Sequence, residues 1–283
     1  MIIGGDKRLV VANIKQAVQN EQWHLKVEVD DPVLSPAAQS ALIEAYLQRL
    51  DGPTYRTANW VANQVATSMT AVLNRTTTFH GLENLAGIGA SIITSNHFNP
   101  LENSVIRAAM RRTGRRHLAI VSETTNLAMT GPVGFLMRYA DTIPIATEPE
   151  YMGRLFPKLL QQELEQQRQI LIYPEQEMWF NYRKPRPPKR GPYYYAARFN
   201  VPIVSCFVSM TDLGRPDNDQ FNQIHYTGNV LSPIYPDHSL SVRENSQRMM
   251  AIDWQQKKVA YEQAYGEAYT PTWQSQDIVG WRG

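Results

Sequence analysis

Cysteine, net charge and long apolar runs are all scarce in this chain, and each shortage excludes a class of protein. Cys206 is the single cysteine among 283 residues, so a disulfide framework is excluded and a reducing compartment is expected. The 28 Lys and Arg against 26 Asp and Glu give a net charge of +2, too small to drive the whole chain onto nucleic acid or a membrane. No run of 18 apolar residues occurs and the first residues lack the apolar stretch of a signal peptide. We therefore expect a cytoplasmic protein without a transmembrane span.

Several sequence motifs of catalysis and cofactor binding are also absent. There is no Gly-x-Ser-x-Gly elbow and no Walker loop, and Gly87-Ile-Gly89 lacks the third glycine of a dinucleotide-binding fingerprint. The histidines do not have the spacing of metal ligands and no acidic cluster accompanies them, so neither a metal nor another bound cofactor is expected. Cys206 lies within the apolar run of residues 201–208, which favours a buried, inert thiol over a nucleophile.

The order of apolar segments predicts an α/β fold. Strands are predicted over residues 90–94, 118–121, 142–145, 170–173, 201–208 and 223–226. Helices are predicted between them over residues 100–112, 151–167 and 192–199, and a long polar helix follows over residues 241–265. Because strands and helices alternate, we expect a mostly parallel sheet flanked by helices on both faces. The segment after residue 270 is aromatic and irregular, and no role is predicted for it.

The first quarter of the chain is predicted to be a helical extension. Residues 1–75 would form this extension and residues 76–283 the α/β domain. A short strand is predicted over residues 26–29, and helices over residues 35–50 and 55–73. One face of the second helix is apolar and comprises Val61, Val65, Met69 and Val72. Because basic residues are scarce on its polar face, packing against the core is favoured over contact with a lipid interface.

A strand-to-helix turn at residues 95–102 carries the main candidate for catalysis. His97 lies in this turn, and Glu102 follows five residues later in the first turn of the predicted helix. An imidazole held by a carboxylate can accept a proton from a hydroxyl group, and the carboxylate stabilises the imidazolium that forms. Asn99, Pro100 and Glu102 also make a helix capping box, which gives Glu102 a purely structural reason to be present. The two roles are compatible, and both stay open at this point.

The loop after the strand predicted over residues 170–173 is a second candidate site. Asp and Glu are absent from residues 179–210, and prolines stiffen the segment. Its basic residues are Arg183, Lys184, Arg186, Lys189, Arg190 and Arg198. Cations held in place suit a phosphate-bearing substrate, and a solvated surface loop is the alternative. Trp179, Phe180 and Tyr182 lie beside these charges and need a surface to pack on, so the substrate site is favoured.

Another basic cluster lies on and just after the helix predicted over residues 100–112. Its members are Arg107, Arg111, Arg112, Arg115 and Arg116. Cations late in a helix complement its dipole, which explains part of the cluster. An anionic partner such as a carrier protein, a coenzyme phosphate or a lipid headgroup would explain the rest. Nucleic acid is not expected, because neither basic cluster lies in a recognisable nucleic-acid-binding module.

Four short blocks, in this order along the chain, resemble those of the lysophospholipid acyltransferases, the family of the 1-acylglycerol-3-phosphate acyltransferases. Their Asn-His-x4-Asp block is similar to Asn96-His97 followed by Glu102, and their Phe-Pro-Glu-Gly-Thr-Arg block to Tyr173-Pro-Glu175. The other two blocks, Lys-Arg-Gly and Val-Pro-Ile-Val, correspond to residues 189–191 and 201–204. The resemblance covers residues 79–208 and does not include the N-terminal extension.

The resemblance implies an acyltransferase in which His97 is the general base. His97 would deprotonate an acceptor hydroxyl that attacks the thioester of an acyl-CoA or acyl-carrier protein, which is a co-substrate and not a bound cofactor. Glu102 would orient the imidazole, while Asn96 and Glu175 would help to shape the substrate site. No acyl-enzyme is needed, so the absence of a nucleophilic triad is consistent with this mechanism.

Departures from the family pattern fall on the residues that the resemblance implies as ligands of the acceptor phosphate. Gln176-Glu177-Met178 stands where the family has Gly-Thr-Arg, and the segment over residues 141–147 lacks the arginine that ends the family's second block. Lysophosphatidate would then have to be held by replacements such as Arg183, Lys184 or Arg186. A phosphate-free acceptor, such as a glycolipid or a cell-envelope precursor, is the alternative. A non-catalytic protein that binds a lipid or a carrier is a third interpretation.

A lipid substrate also predicts peripheral contact with the inner face of the cell membrane. The aromatic residues around Trp179 are the expected contact surface, because aromatic side chains are enriched at membrane interfaces.

Overall fold

A seven-stranded sheet forms the centre of the computed structural model, which describes residues 6–29, 33–50 and 52–283. The strands are β1 Thr78–His80, β2 Ser91–Thr94, β3 Leu118–Glu123, β4 Thr142–Ile145, β5 Gln169–Leu171, β6 Ile203–Pro216 and β7 Asn222–Val230. Their order across the sheet is β1-β7-β6-β2-β5-β3-β4. Strands β2 to β6 are mutually parallel, whereas β7 pairs antiparallel with β6 and parallel with β1. The predicted mostly parallel α/β sheet is confirmed.

Helices cover both faces of this sheet. In the described residues they are α1 Arg8–Gln19, α2 Pro36–Leu50, α3 Pro53–Leu73, α4 Asn103–Arg112, α5 Gly131–Tyr139, α6 Phe156–Glu165, α7 Gly191–Phe199 and α8 Val242–Tyr265. Successive side chains of a strand point to opposite faces, so Ile92 packs with α6 and α7 while Ile93 packs with α4. Both faces of β2 are therefore buried, and its carboxyl end emerges between two helical layers.

The N-terminal segment packs against the α/β domain and forms a separate cluster of buried apolar residues with it. Apolar residues of α1, including Val10 and Ile14, pack against Trp179 and Phe180 of the loop after β5. Helix α1 was not predicted because no capping residue marks its start, although its apolar residues have helical spacing. Residues 26–29 form no strand, so that prediction is wrong. Helix α5 was also missed, since it begins with Gly131-Pro132 and contains Gly134.

The apolar face of α3 is turned outward, contrary to the prediction that it packs on the core. Val61, Val65, Met69 and Val72 are 38%, 42%, 37% and 69% exposed, and Trp60 beside them is 64% exposed. The polar face instead lies inward, where Asn59 bonds Asp141, and Asn74, which follows the helix as its C-cap, bonds Ser104. Hydrogen bonds to α4 and to the start of β4 have determined which face of this helix is buried. No helix in the described part of the chain is both long and apolar enough to span a membrane.

Candidate active site

His97 and Glu102 face each other in the turn that follows β2. The Nδ1 atom of His97 is hydrogen-bonded to Oε1 of Glu102. The other carboxylate oxygen, Oε2, accepts the backbone N–H groups of Phe98 and Asn99, the latter at 2.9 Å. The Glu102 side chain is only 2% exposed, whereas that of His97 is 21% exposed. A buried carboxylate thus holds the ring at Nδ1, which leaves Nε2 as the nitrogen available to a substrate.

The predicted capping box is present only in part. The Glu102 carboxylate does accept the N–H of Asn99, and the Asn99 side chain accepts the N–H of Leu101 at 3.0 Å. The helix itself begins at Asn103 and not at Pro100, because residues 100–102 form a turn before it. Glu102 therefore has a structural role and a role towards His97 at once.

Backbone and ring contacts from the loop after β5 fix the turn around His97. The Trp179 N–H donates to the His97 carbonyl at 3.0 Å, and the Asn181 N–H donates to the Phe98 carbonyl at 2.8 Å. The Tyr173 ring stacks on the imidazole, with ring centroids 4.1 Å apart and planes inclined by 10°. These contacts restrain both the backbone and the ring of the candidate base.

Glu175 connects this turn to a buried arginine. Its Oε2 atom accepts the His97 N–H at 3.2 Å, and its two oxygens accept the Arg186 N–H and Nε–H at 3.0 Å each. Arg186 also donates to the carbonyls of Trp23 and Glu177. Burial lowers the pKa of Arg186, and the Glu175 charge acts against this shift. Arg186 is thus an internal counter-ion, which corrects the prediction that it binds substrate.

Asn96 has a structural role rather than the predicted contact with substrate. Its side chain is buried and exchanges two hydrogen bonds with the backbone of Val208, from Nδ2 to the carbonyl at 3.0 Å and from the N–H to Oδ1 at 2.9 Å. Because both polar atoms of the amide are occupied, Asn96 anchors the turn that carries His97 to β6.

Arg183 and Lys184 are also paired inside the protein, which corrects their predicted role as phosphate ligands. Asp277, near the C-terminus, accepts Arg183 Nε–H at 3.3 Å and Lys184 Nζ at 2.9 Å. Glu267 accepts a further bond from Arg183 at 2.6 Å. Both cations are buried, so their charges are neutralised within the fold.

The remaining members of the predicted basic loop separate into two groups. Lys189 and Arg190 are exposed at the end of the loop, and their substrate-binding role stays a prediction. Trp179, Phe180 and Tyr182 are buried against α1 and the C-terminal tail, so the expected aromatic membrane surface does not exist there.

The arginines on and after α4 do not form one patch. Arg107 is buried, and burial lowers the pKa of its guanidinium. Arg111 bonds the Thr67 hydroxyl on α3 at 2.6 Å. Arg115 bonds the carbonyl of Ile88 at 2.6 Å, and Arg116 is exposed. Burial also raises the pKa of Cys206 to about 12, in agreement with its interpretation as an inert thiol.

The residues that replace the family's Gly-Thr-Arg lie beside this site. Gln176 has a φ of 66°, a left-handed conformation that glycine adopts without strain. Glu177 is half-buried, and burial together with Glu123 raises its pKa, while Lys26 acts in the opposite direction. Lys26 Nζ lies 3.6 Å from Glu123. A carboxylate and a thioether, Met178, thus stand where the family has a hydroxyl and a guanidinium.

Sequence reasoning missed several residues that organise the site. Asp277 lies in the tail for which no role was predicted, and nothing in its local sequence distinguishes it. The buried pair Asp253 and Lys257 on α8 has an i, i+4 spacing that usually belongs to a solvated helix face. Tyr173 was identified only as a counterpart of the family's phenylalanine.

A buried strand that ends in a histidine held by a buried carboxylate, on an α/β fold, is a geometry that suits general base catalysis. Residues 76–209 match the family model described as Acyltransferase. The fold is similar to the crystal structure of the 1-acyl-sn-glycerophosphate (LPA) acyltransferase PlsC from Thermotoga maritima. That match has a TM-score of 0.52 and 11% sequence identity, and it covers 82% of this chain and 90% of that one. No curated protein sequence matches the chain. The protein is an acyltransferase, as the four blocks predicted.

Proposed function

We propose that the protein transfers an acyl group from a thioester donor to a hydroxyl group, with His97 as the general base. Nε2 would take the proton of the acceptor hydroxyl as its oxygen attacks the thioester carbonyl carbon. The carbon–sulfur bond would then break, and the leaving thiolate would take the proton from the imidazolium. The observation that carries this proposal is the buried Glu102 carboxylate on Nδ1, because it stabilises the imidazolium and directs Nε2 outward.

The test of this mechanism is His97→Ala. Wild-type protein would be incubated with acyl-CoA or acyl-carrier protein and a mixed pool of lysophospholipids, glycolipids and envelope precursors. New esters would be identified by mass spectrometry. Removal of the base should lower turnover by about 10²- to 10⁴-fold without lowering the melting temperature by more than a few degrees. The matched control is His238→Ala, an exposed histidine far along the chain. Unchanged ester formation by His97→Ala would contradict the proposed role.

A lysophospholipid such as lysophosphatidate is the first candidate acceptor, in phospholipid biosynthesis. The exposed cations Lys189 and Arg190 support this choice, because they directly follow the loop that holds His97 and can reach an anionic headgroup.

A phosphate-free acceptor is the second candidate, and a specific observation favours it. Arg183, Lys184 and Arg186 are occupied by internal carboxylates, while Glu177 and Glu123 place negative charge near the site. Monoacylglycerol and lysophosphatidate supplied separately would decide between the two, since the preferred acceptor should have the higher kcat/KM.

We also propose that the protein contacts the inner face of the cell membrane through α3. The outward apolar face of this helix supports the proposal, and Arg56 and Arg75 lie near its two ends. Apolar side chains at the acyl boundary with flanking cations are typical of interfacial helices.

A further inference from the structure

His24 is held against the loop after β5, and its segment of the chain lies outside the residues that match the family model. Its Nδ1 atom is 3.2 Å from the carbonyl oxygen of Glu175. The flanking residues are anchored as well, because the Trp23 carbonyl accepts a bond from Arg186 at 2.9 Å and the Leu25 carbonyl accepts Trp179 Nε1–H at 3.0 Å. The position of His24 relative to Glu175 is thus determined by three independent contacts.

Lys189 contacts the dipeptide Pro174-Glu175 from the other end of the loop. Its backbone N–H donates to the carbonyl of Pro174 at 2.8 Å, so Lys189 and His24 flank Pro174-Glu175. Lys189 and Arg190 are exposed, and neither side chain has a carboxylate partner within the described residues. Lys189 therefore brings an uncompensated positive charge close to the histidine, and Arg190 follows it directly in the chain.

The imidazole of His24 is suited to respond to an anion at this position. A contact with a carbonyl requires Nδ1 to carry its proton, so Nε2 is protonated only in the imidazolium form. Burial lowers the pKa of His24, the hydrogen bond to the Glu175 carbonyl acts against this shift, and the charges of Lys189 and Arg186 lower the pKa further. Glu175 already neutralises Arg186. An anion with several oxygens at this position would oppose the charges of Lys189 and Arg186 and stabilise the imidazolium, whose Nε2 could then donate a hydrogen bond to it.

We propose that His24, Lys189 and Arg190 form a phosphate-binding rim beside the catalytic dyad. The rim holds a phosphate group of one of the two substrates, either on the thioester donor or on a lysophospholipid acceptor. Glu175 connects the rim to the base, because its carbonyl contacts His24 and its carboxylate accepts the His97 N–H. This inference rests on the proposed function, and it assigns the N-terminal segment a direct part in substrate binding.

The decisive variant is His24→Asn, with Lys189→Met beside it. An asparagine amide can keep the bond to the Glu175 carbonyl, since its N–H₂ group takes the place of Nδ1, but it has no counterpart of Nε2. A role that is only structural would survive this exchange. Lys15→Met removes an exposed cation of α1 and is the matched control.

The substrates are arranged in two pairs that differ only in phosphate. Donors are palmitoyl-CoA and the palmitoyl thioester of N-acetylcysteamine, and acceptors are lysophosphatidate and monoacylglycerol. We expect kcat/KM to fall roughly tenfold more for the phosphorylated member of one pair than for its phosphate-free counterpart. A difference in the donor pair assigns the phosphate to the donor, and one in the acceptor pair assigns it to the acceptor.

Equal losses with all substrates, or none with any, would overturn the rim. A binding measurement distinguishes this outcome from a failure of the proposed function. If the wild-type protein forms no ester, isothermal titration with coenzyme A and with sn-glycerol 3-phosphate still tests the rim. A Kd for one of them that rises about tenfold in His24→Asn supports it, whereas unchanged or absent binding of both rules it out.

Discussion

Glu102 combines two functions in one carboxylate. One oxygen bonds the ring of His97, and the other accepts the backbone N–H groups of Phe98 and Asn99. The family's aspartate is one methylene shorter. Glu102 lies at the end of the turn over residues 100–102, directly before α4, and its longer side chain reaches the imidazole from there.

We predict that Glu102→Gln lowers kcat by about 10²-fold. The amide keeps the shape of the carboxylate but cannot stabilise the imidazolium by charge, and its N–H₂ group cannot accept the backbone donors. Steady-state kinetics with the preferred acceptor would measure the loss. Glu83→Gln, in a short helix after β1, is a control that should leave kcat within twofold. A kcat for Glu102→Gln equal to that of the wild type would mean that the carboxylate has only a capping role.

At the scale of elements, α8 supports the strand that leads to His97. Lys257 bonds the Thr94 hydroxyl on β2 at 2.8 Å and Asp253 at 2.6 Å. Tyr193 on α7 donates to the same aspartate. All four side chains are buried, so this network joins two helices to the carboxyl end of β2.

Lys257→Met should destabilise the protein by about 3–5 kcal/mol, because it leaves the Asp253 charge buried without its cation. Urea unfolding followed by circular dichroism would measure the change in free energy of unfolding. Lys258→Met changes the neighbouring residue, whose ammonium lies 5.5 Å from the centre of the Trp254 ring. That control should cost about 0.5–1 kcal/mol. Equal losses in the two variants would contradict a special role for the buried pair.

Helix α3 yields a prediction about membrane contact. Val65→Asp places a charge in the centre of its exposed apolar face and should abolish most co-sedimentation with anionic liposomes at low salt. Leu9→Asp is the control, since Leu9 is equally apolar and 65% exposed but lies on α1. If both variants sediment like the wild-type protein, or if the wild-type protein does not sediment at all, α3 is not the contact surface.

At the scale of the whole molecule, the two ends of the chain meet around the loop after β5. Apolar residues of α1 pack on one side of Trp179 and Phe180, and the C-terminal tail pairs with the next residues of the loop. Asn181 and Val279 exchange two hydrogen bonds, and Asp277 binds Arg183 and Lys184. Because the same loop bonds the carbonyl of His97, residues far outside the family match restrain the turn that carries His97.

Asp277→Asn should therefore lower stability by about 3–5 kcal/mol, since Arg183 and Lys184 would remain buried without their shared charge. Asp219→Asn changes an exposed aspartate and should have an effect within about 0.5 kcal/mol. Thermal and urea unfolding would compare the two variants. Should Asp277→Asn unfold like its control, the two buried cations must be satisfied by other contacts such as Glu267 and the Thr272 carbonyl.

The local sequence pattern was sufficient to place a strand or helix where its periodicity agrees with its burial. The strand predicted over residues 142–145 and the helix predicted over residues 192–199 correspond to β4 and α7 within one residue. The prediction of the buried face failed for α3, because the periodicity shows that a helix has an apolar face but not what covers that face. In this helix, polar residues make the tertiary contacts and the apolar face is left outside.

The amino-acid sequence by itself determined the α/β class, the strand-to-helix turn and the pairing of His97 with Glu102, because these depend on residues that are close in the chain. Only the tertiary structure decided what the basic loop does. A row of Arg and Lys looks the same whether it faces a phosphate or an internal carboxylate. The partners of Arg183, Lys184 and Arg186 are separated from them by between 11 and 94 residues. Charges are assigned to function or to stability by such distant contacts, and these form only when the chain folds.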